Sequence, residues 1–260
     1  MIKTLLAHPL TRGLDIDHPS TTERRRLIIR EKHFLKKIYQ EWYTKIAKAL
    51  PDSNEPVLEL GTGAGFLSDF IPDLITSEIF FQPYIRVVLD GQQLPFANDS
   101  LRGIVMIDVL HHLPQCRPFF KEAVRCVRPG GCLAMVEPWV TAWSRLVYSK
   151  LHHEPFRPEA NEWQFPPSGP LSGANGALPW IIFERDRIQF EREFPEFEIE
   201  FVELTMPFRY LVSGGVSMRG LMPGWTFGLW RWVEQILHSQ LSQLAMFAYI
   251  VLRKRRRFRQ

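Results

Sequence analysis

The chain places an acid and three alternating glycines at Glu59-Leu60-Gly61-Thr62-Gly63-Ala64-Gly65. An apolar pair, Val57-Leu58, precedes them, and Phe66-Leu67-Ser68-Asp69-Phe70 follows. Glycines at this spacing predict a tight turn after a short strand, with backbone bare enough for a ligand to lie against it. A dinucleotide turn needs its third glycine three places after the second. Phe66 stands there, so that pattern fails. An acid two places ahead of the first glycine suits a cationic or hydrogen-bond-donating ligand better than a phosphate. A glycine turn that binds nothing is the competing explanation.

Other residues of chemical interest follow at intervals. Val87-Val88-Leu89-Asp90-Gly91 leads to Leu94-Pro95-Phe96. Ile107-Asp108-Val109-Leu110-His111-His112-Leu113-Pro114 pairs an acid with two histidines, and Val127-Arg128-Pro129-Gly130-Gly131-Cys132-Leu133 marks a turn into an apolar run. Histidine is suited to moving a proton near neutral pH, so His112 and then His111 are candidate bases, with strand-end capping as the competing role for each. Glu137, closing the run after Cys132, is a candidate pocket acid. His152-His153-Glu154 has metal-binding residue types but lacks the i, i+4 helical spacing of zinc motifs, so no metal is expected.

These four motifs, in this order over residues 57–137, resemble class I S-adenosylmethionine-dependent methyltransferases, closest to the methyltransferase type 11 group. The resemblance implies that S-adenosylmethionine is the cofactor. It implies that Glu59, Gly61, Thr62, Gly63 and Gly65 lie along its methionine part. Asp90, Gly91 and Leu94 are then placed at the adenine, Asp108 at the end of strand four, and Glu78 at the ribose in place of the family's strand-two acid. The implied activity is methyl transfer to a small or amphipathic acceptor: a sugar, a lipid, a quinone-like ring or another metabolite. A cofactor-binding but inactive scaffold or assembly subunit is the alternative. The implied fold is an α/β Rossmann-like doubly wound sheet of seven strands, mostly parallel, with helices on both faces and an antiparallel last strand.

The elements that must position these groups are legible in part. Ser20-Thr21-Thr22-Glu23 reads as a capping box opening one helix to about Leu50, its stripe running through Leu27, Phe34, Ile38, Trp42, Ile46 and Leu50. Its basic face, with Arg24-Arg25-Arg26, reads as solvated. Residues 1–50 therefore form an N-terminal extension and helix, and 51–260 the catalytic-type domain. Strands are expected at 57–60, 74–77, 86–90, 103–108, 132–136, 198–204 and 245–252, with helices at 66–70, 119–127 and 183–194. Apolar strands alternating with helices imply a parallel sheet covered on both faces. Residues 138–180, rich in Pro and aromatics, are expected to form either a substrate lid or an Ω-type surface wrap, and 207–240 an aromatic insertion.

With 260 residues, 45% of them hydrophobic, the chain can bury one sizeable core. Three cysteines without a C-x-x-C pair point to reduced thiols and a cytoplasmic setting. Met1–Leu14 has neither an apolar core nor a cleavage pattern of a signal peptide, and no apolar run reaches membrane-span length. The net charge of +4 is concentrated around Arg24–Arg30 and in Arg253–Arg259. No RNA-binding motif accompanies that tail, so nucleic acid is not an expected partner. A solvated terminus is the simpler reading of that tail. The aromatic insertion, which could equally roof the pocket or form a dimer face, adds contact with an anionic membrane surface as a competing expectation.

Overall fold

The computed structural model describes residues 6–152, 154–169 and 171–256. The sequence expectations for Met1–Leu5, His153, Pro170 and the tail beyond Arg256 lie outside them. Seven strands form one sheet in the order β3-β2-β1-β4-β5-β7-β6. They are β1 (Val57–Glu59), β2 (Leu74–Glu78), β3 (Val87–Val88), β4 (Leu101–Ile107), β5 (Val127–Pro138), β6 (Phe197–Thr205) and β7 (Phe247–Lys254). The first five pair in parallel, and β7 runs antiparallel between β5 and β6. This is the expected doubly wound fold with an antiparallel last strand.

Alternation along the strands splits the core into two layers. Leu58, Ile104, Met106, Leu133 and Met135 face a cluster with Phe119 and Phe120 of α3 (Cys116–Cys126) and with Phe183 and Phe190. Val57, Val105, Ala134 and Val136 face the opposite cluster, built on Phe34, Ile38, Trp42 and Ile46 of α2 (His33–Ala49). Each strand side chain is thus covered by a helix on its own face.

The N-terminal helix departs from expectation at both ends of its first half. It starts at Pro19, not at the predicted capping box: His18 is the cap, and its ring accepts from the Ser20 N–H at 3.2 Å. It then breaks at Lys32, separating α1 (Pro19–Glu31) from α2. Lys32 takes an extended conformation with ψ 91°. Its ammonium donates to the carbonyls of Ser213 at 3.1 Å, Gly215 at 2.8 Å and Met218. Burial lowers its pKa to about 8. Leu27, read as the start of the stripe, is 45% exposed, and Ile28 and Ile29 are buried in its place, so the stripe does not carry through the break.

Other boundaries shift as well. The expected helix at 66–70 is a 3-10 turn, Leu67–Asp69. The helix at 183–194 opens as a π-helical turn, Ile181–Arg185, before α6 (Arg187–Glu193). The expected lid contains α4 (Ala142–Leu151), closed at its start by reciprocal Thr141–Ser144 hydrogen bonds, and α5 (Leu178–Trp180). Its remainder is fastened by side chains: Asp17 accepts from Leu171 N–H and Ser172 N–H, and Asn175 accepts from Arg157 N–H and Ala177 N–H. The aromatic insertion carries α7 (Arg209–Ser213) and α8 (Phe227–Ile236). It divides in two. Tyr210 is half-buried against Trp42 and Phe247, whereas Trp225 is 83% exposed and Trp232 58%. Among the described residues, no helix is long and apolar enough to cross a membrane.

Candidate functional site

A cavity of about 520 Å³ opens beyond the carboxyl ends of β1, β2 and β4, where parallel sheets hold their ligands. The volume is in the range of a small-molecule site. Glu59, Gly61, Thr62, Gly63, Gly65, Glu78, Asp90, Gly91, Asp108, His111 and His112 all line it. Two candidates do not. Leu94 is 4% exposed and packed in the core, its N–H donating to Glu122 Oε2 at 2.8 Å. Glu137 lies wholly beneath the surface and is spent on structure, as described below.

The glycine turn is built by packing as much as by access. A Cβ at Gly61 would stand 2.6 Å from Val109 Cγ2, and one at Gly65 would stand 2.5 Å from Tyr43 Oη. Those two positions exclude side chains for the protein's own sake. Gly63 differs: a Cβ there would meet nothing closer than Glu78 Oε1 at 3.6 Å. Its φ of +51° demands glycine on backbone grounds. Of the three, Gly63 is therefore the point at which a ligand can approach the backbone.

Acids converge on this turn. Thr62 Oγ1 donates to Glu59 Oε2 at 2.8 Å and accepts from Ser77 N–H at 3.1 Å. Burial pushes Glu59 up to about 7, with the neighbouring Glu78 adding to the shift. Glu78 Oε1 accepts from Gly63 N–H at 2.7 Å and Oε2 from Ile79 N–H at 3.1 Å, and burial raises it too. Each Glu78 oxygen keeps a second lone pair for a donor in the cavity. Asp90 sits exposed at the rim, where its Oδ1 accepts from Gln92 N–H at 2.9 Å. Asp108 holds φ +56°, unusual for a side-chain-bearing residue, and burial pushes it up to about 7.

The histidines form a second group on the same cavity. Leu110–His112 is a 3-10 turn after β4. Glu137 Oε1 accepts from Val109 N–H at 2.9 Å and Leu110 N–H at 2.7 Å. Its Oε2 lies 2.7 Å from His111 Nδ1. Glu137 is thus a positioning residue, correcting the expectation of a pocket-facing acid. His111 Nε2 faces Glu154 Oε2 at 3.4 Å. Burial alone would lower His111, but hydrogen bonding to Glu137 and Glu154 prevails and raises it to about 10. His112 Nδ1 lies 3.0 Å from Gly173 O, and burial beside charged His111 lowers it to about 4. Of the two, His112 is the one held neutral, with Nε2 available to accept.

Several cavity residues come from outside the motifs. Arg25 of α1 lines it with a buried Nε that has no hydrogen-bond partner among the described residues. Arg26 donates to Gly65 O at 2.8 Å and its guanidinium stacks 4.0 Å from the Tyr84 ring. The basic face of α1, expected to be solvated, therefore turns partly onto the glycine turn. Tyr39, Tyr43, Tyr148, Glu154 and Tyr210 complete the wall. Tyr39 and Tyr43 each follow a residue of the apolar stripe read along α2, Ile38 and Trp42, and were not part of it, so sequence reasoning missed them as cavity wall.

Residues 58–135 match the family model described as a methyltransferase domain. An S-adenosylmethionine-dependent methyltransferase from Thermotoga maritima shares the fold at 16% identity and a TM-score of 0.53, covering 90% of this chain and 99% of that one. A chain from the Haloferax volcanii complex of the Trm112 methyltransferase activator with a methyltransferase matches at 12% identity and a TM-score of 0.52, covering 94% and 98%. At such identities the likeness is one of fold. No curated protein matches the chain in sequence.

Proposed function

We propose that this chain, whose residues 58–135 form a methyltransferase domain of the class I fold, transfers a methyl group from S-adenosylmethionine to a small or amphipathic acceptor. The observation that carries the reading is the gathering of the open Gly63 backbone, buried Glu59 and Glu78, and rim Asp90 around one cavity. The donor set suits the cofactor. Glu59, raised by burial, is relieved by an ammonium group beside it. Glu78 has lone pairs left for a ribose diol, Asp90 can accept from an exocyclic amine at the rim, and the unpartnered Nε of Arg25 suits a carboxylate.

When bound, the cofactor supplies a methyl carbon already activated on a sulfonium. The protein's share is positioning and exclusion of water. Tyr39, Tyr43, Tyr148 and Tyr210 wall the site with apolar surface. His112, held neutral, presents Nε2 as the group that takes or shares the acceptor's proton, and His111 is fixed beside it by Glu137. The acceptor enters between the 138–180 segment and the Gly214–Met218 loop, both of which reach the cavity.

Calorimetry with S-adenosylhomocysteine tests the cofactor assignment, and absence of binding overturns it. Binding without methylation across acceptor classes would instead identify a scaffold.

A further inference from the structure

Two imidazoles and a carboxylate converge on one point of the cavity wall, and their hydrogen bonds fix which atoms face inward. His111 Nδ1 lies 2.7 Å from a Glu137 oxygen whose carboxylate already accepts two backbone N–H groups. Nδ1 of His111 therefore carries a proton toward Glu137, and Nε2 is the ring atom that faces away from it. His112 Nδ1 lies 3.0 Å from Gly173 O, a pure acceptor, so it too carries its proton on Nδ1 and leaves Nε2 bare. Glu154 meets both: Oε2 is 3.4 Å from His111 Nε2, and Oε1 is 3.8 Å from His112 Nε2. Without an ion, a second proton on His111 Nε2 supplies the charge opposite Glu154. A metal ion would take that proton's place among the three groups, whose ligand atoms all lie within 4.8 Å of one another.

We propose that His111 Nε2, His112 Nε2 and a Glu154 carboxylate oxygen together bind one divalent first-row metal ion, with Zn2+ the best fit. Zinc bonds of about 2.0–2.2 Å put neighbouring tetrahedral ligands about 3.3–3.5 Å apart. The observed separations sit at that edge length or slightly above it, and all three ligand atoms fall within 4.8 Å of one another. Both histidines already have the outer partner that metal-bound imidazoles use to hold tautomer and ring plane, a carboxylate for one and a backbone carbonyl for the other. His152 Nδ1, 3.7 Å from Glu154 Oε2, flanks the group. Sequence spacing concealed it, because Glu154 meets His111 and His112, which lie far earlier in the chain.

Three protein ligands leave a tetrahedral ion one open position, and all three residues line the cavity. Resting on the methyl-transfer reading, that position takes an oxygen of the acceptor, and with the ion bound the metal replaces His112 Nε2 as the group that makes the acceptor give up its proton. A hydroxyl bound there releases its proton to solvent, the O–H bonding pair stays on oxygen, and the resulting oxyanion is held against the ion. The acceptor class favoured is an alcohol, phenol or enol.

The test uses the full chain, stripped with a chelator and titrated with Zn2+ by calorimetry, and with Co2+ by visible absorption. One ion per chain is expected, with affinity reduced about tenfold or more by His112→Ala and by Glu154→Gln. Glu137→Gln, which touches no ion, should weaken binding by about 10–100-fold. Circular dichroism checks that each variant folds. Lack of stoichiometric binding overturns the proposal, as does unchanged affinity in both ligand variants. Titrating S-adenosylhomocysteine into the same samples separates the two readings: zinc bound without it keeps the metal site and removes the methyl-transfer assignment.

Discussion

Glu137 Oε2 stands 2.7 Å from His111 Nδ1, and the other oxygen of the same carboxylate holds the N–H groups of Val109 and Leu110. One fully buried side chain on β5 thus fixes the shape of the turn after β4 and the tautomer of the histidine on it. Removing it by Glu137→Ala leaves two backbone donors and an imidazole unpaired. We expect a loss of about 3–5 kcal/mol and a clearly lower Tm in thermal denaturation. Glu137→Gln keeps the backbone acceptor and should cost less. Equal Tm for wild type and the Ala variant contradicts the assignment.

Gly63→Val should abolish S-adenosylhomocysteine binding. Its left-handed φ of +51° costs a side-chain-bearing residue about 1–2 kcal/mol, and the valine methyls would occupy the one open approach to the turn. Gly65→Ala acts differently, since its Cβ would strike the Tyr43 hydroxyl that accepts from Phe66 N–H at 3.1 Å. It should lower stability first. Calorimetry and thermal melts, read side by side, distinguish the two variants.

Cofactor affinity should depend on pH through Glu59. The free site holds this carboxyl protonated up to about 7, while a cationic amine beside it favours the ionised form. Binding below that pH therefore releases a proton, so affinity rises with pH through about 7 and then levels. The ligand-free fold has the reverse dependence. A carboxyl raised on folding stabilises below its unfolded pKa, and that contribution is lost as pH rises through about 7. Asp108, raised to a similar value, adds to the same trend. Glu59→Gln should bind weakly and with a flatter pH profile. An affinity that falls between pH 6 and 8 would count against this placement.

Arg25→Ala should weaken cofactor or acceptor binding by about tenfold, the worth of one charge-assisted hydrogen bond, without a large change in Tm. Among the described residues its Nε has no hydrogen-bond partner, so little structure depends on it. A variant that melts early yet binds normally would assign Arg25 to the fold instead.

Lys32→Met should loosen the 213–218 loop. Three carbonyls lose their shared ammonium donor, and each one left unsatisfied costs about 1–3 kcal/mol. Limited proteolysis should show faster cutting there. A loop cut at the wild-type rate would show that water replaces the ammonium.

The parts of this molecule that were legible in sequence are those in which neighbouring residues do the work. Glu59 to Gly65 is a strand end and its turn, and Arg128 to Leu133 is a turn feeding a strand, so local pattern suffices. Leu94 followed the motif's wording but packs inward, because the motif records a segment and not the direction of each side chain. Arg25 looked like one of three solvent-facing arginines. Its place in the cavity depends on how α1 docks, and the break at Lys32 that permits this docking is made by carbonyls far along the chain. Glu154 was conspicuous beside two histidines, yet it also meets the pair after β4. Such meetings are products of packing, and one-dimensional spacing does not encode them.

The position of β7 between β5 and β6 also sets an order of events in time. During synthesis β6 appears before its only sheet neighbour, and residues 206–246 must be made before that neighbour arrives. Until then β5 presents an open edge, and the apolar face of β6 has nowhere to dock. Long-range closure of this kind is slow and leaves edges exposed to other chains. Newly made copies should therefore aggregate most readily just before residues 247–254 are added, and variants that weaken β7 should reduce soluble yield more than they reduce the stability of the finished fold.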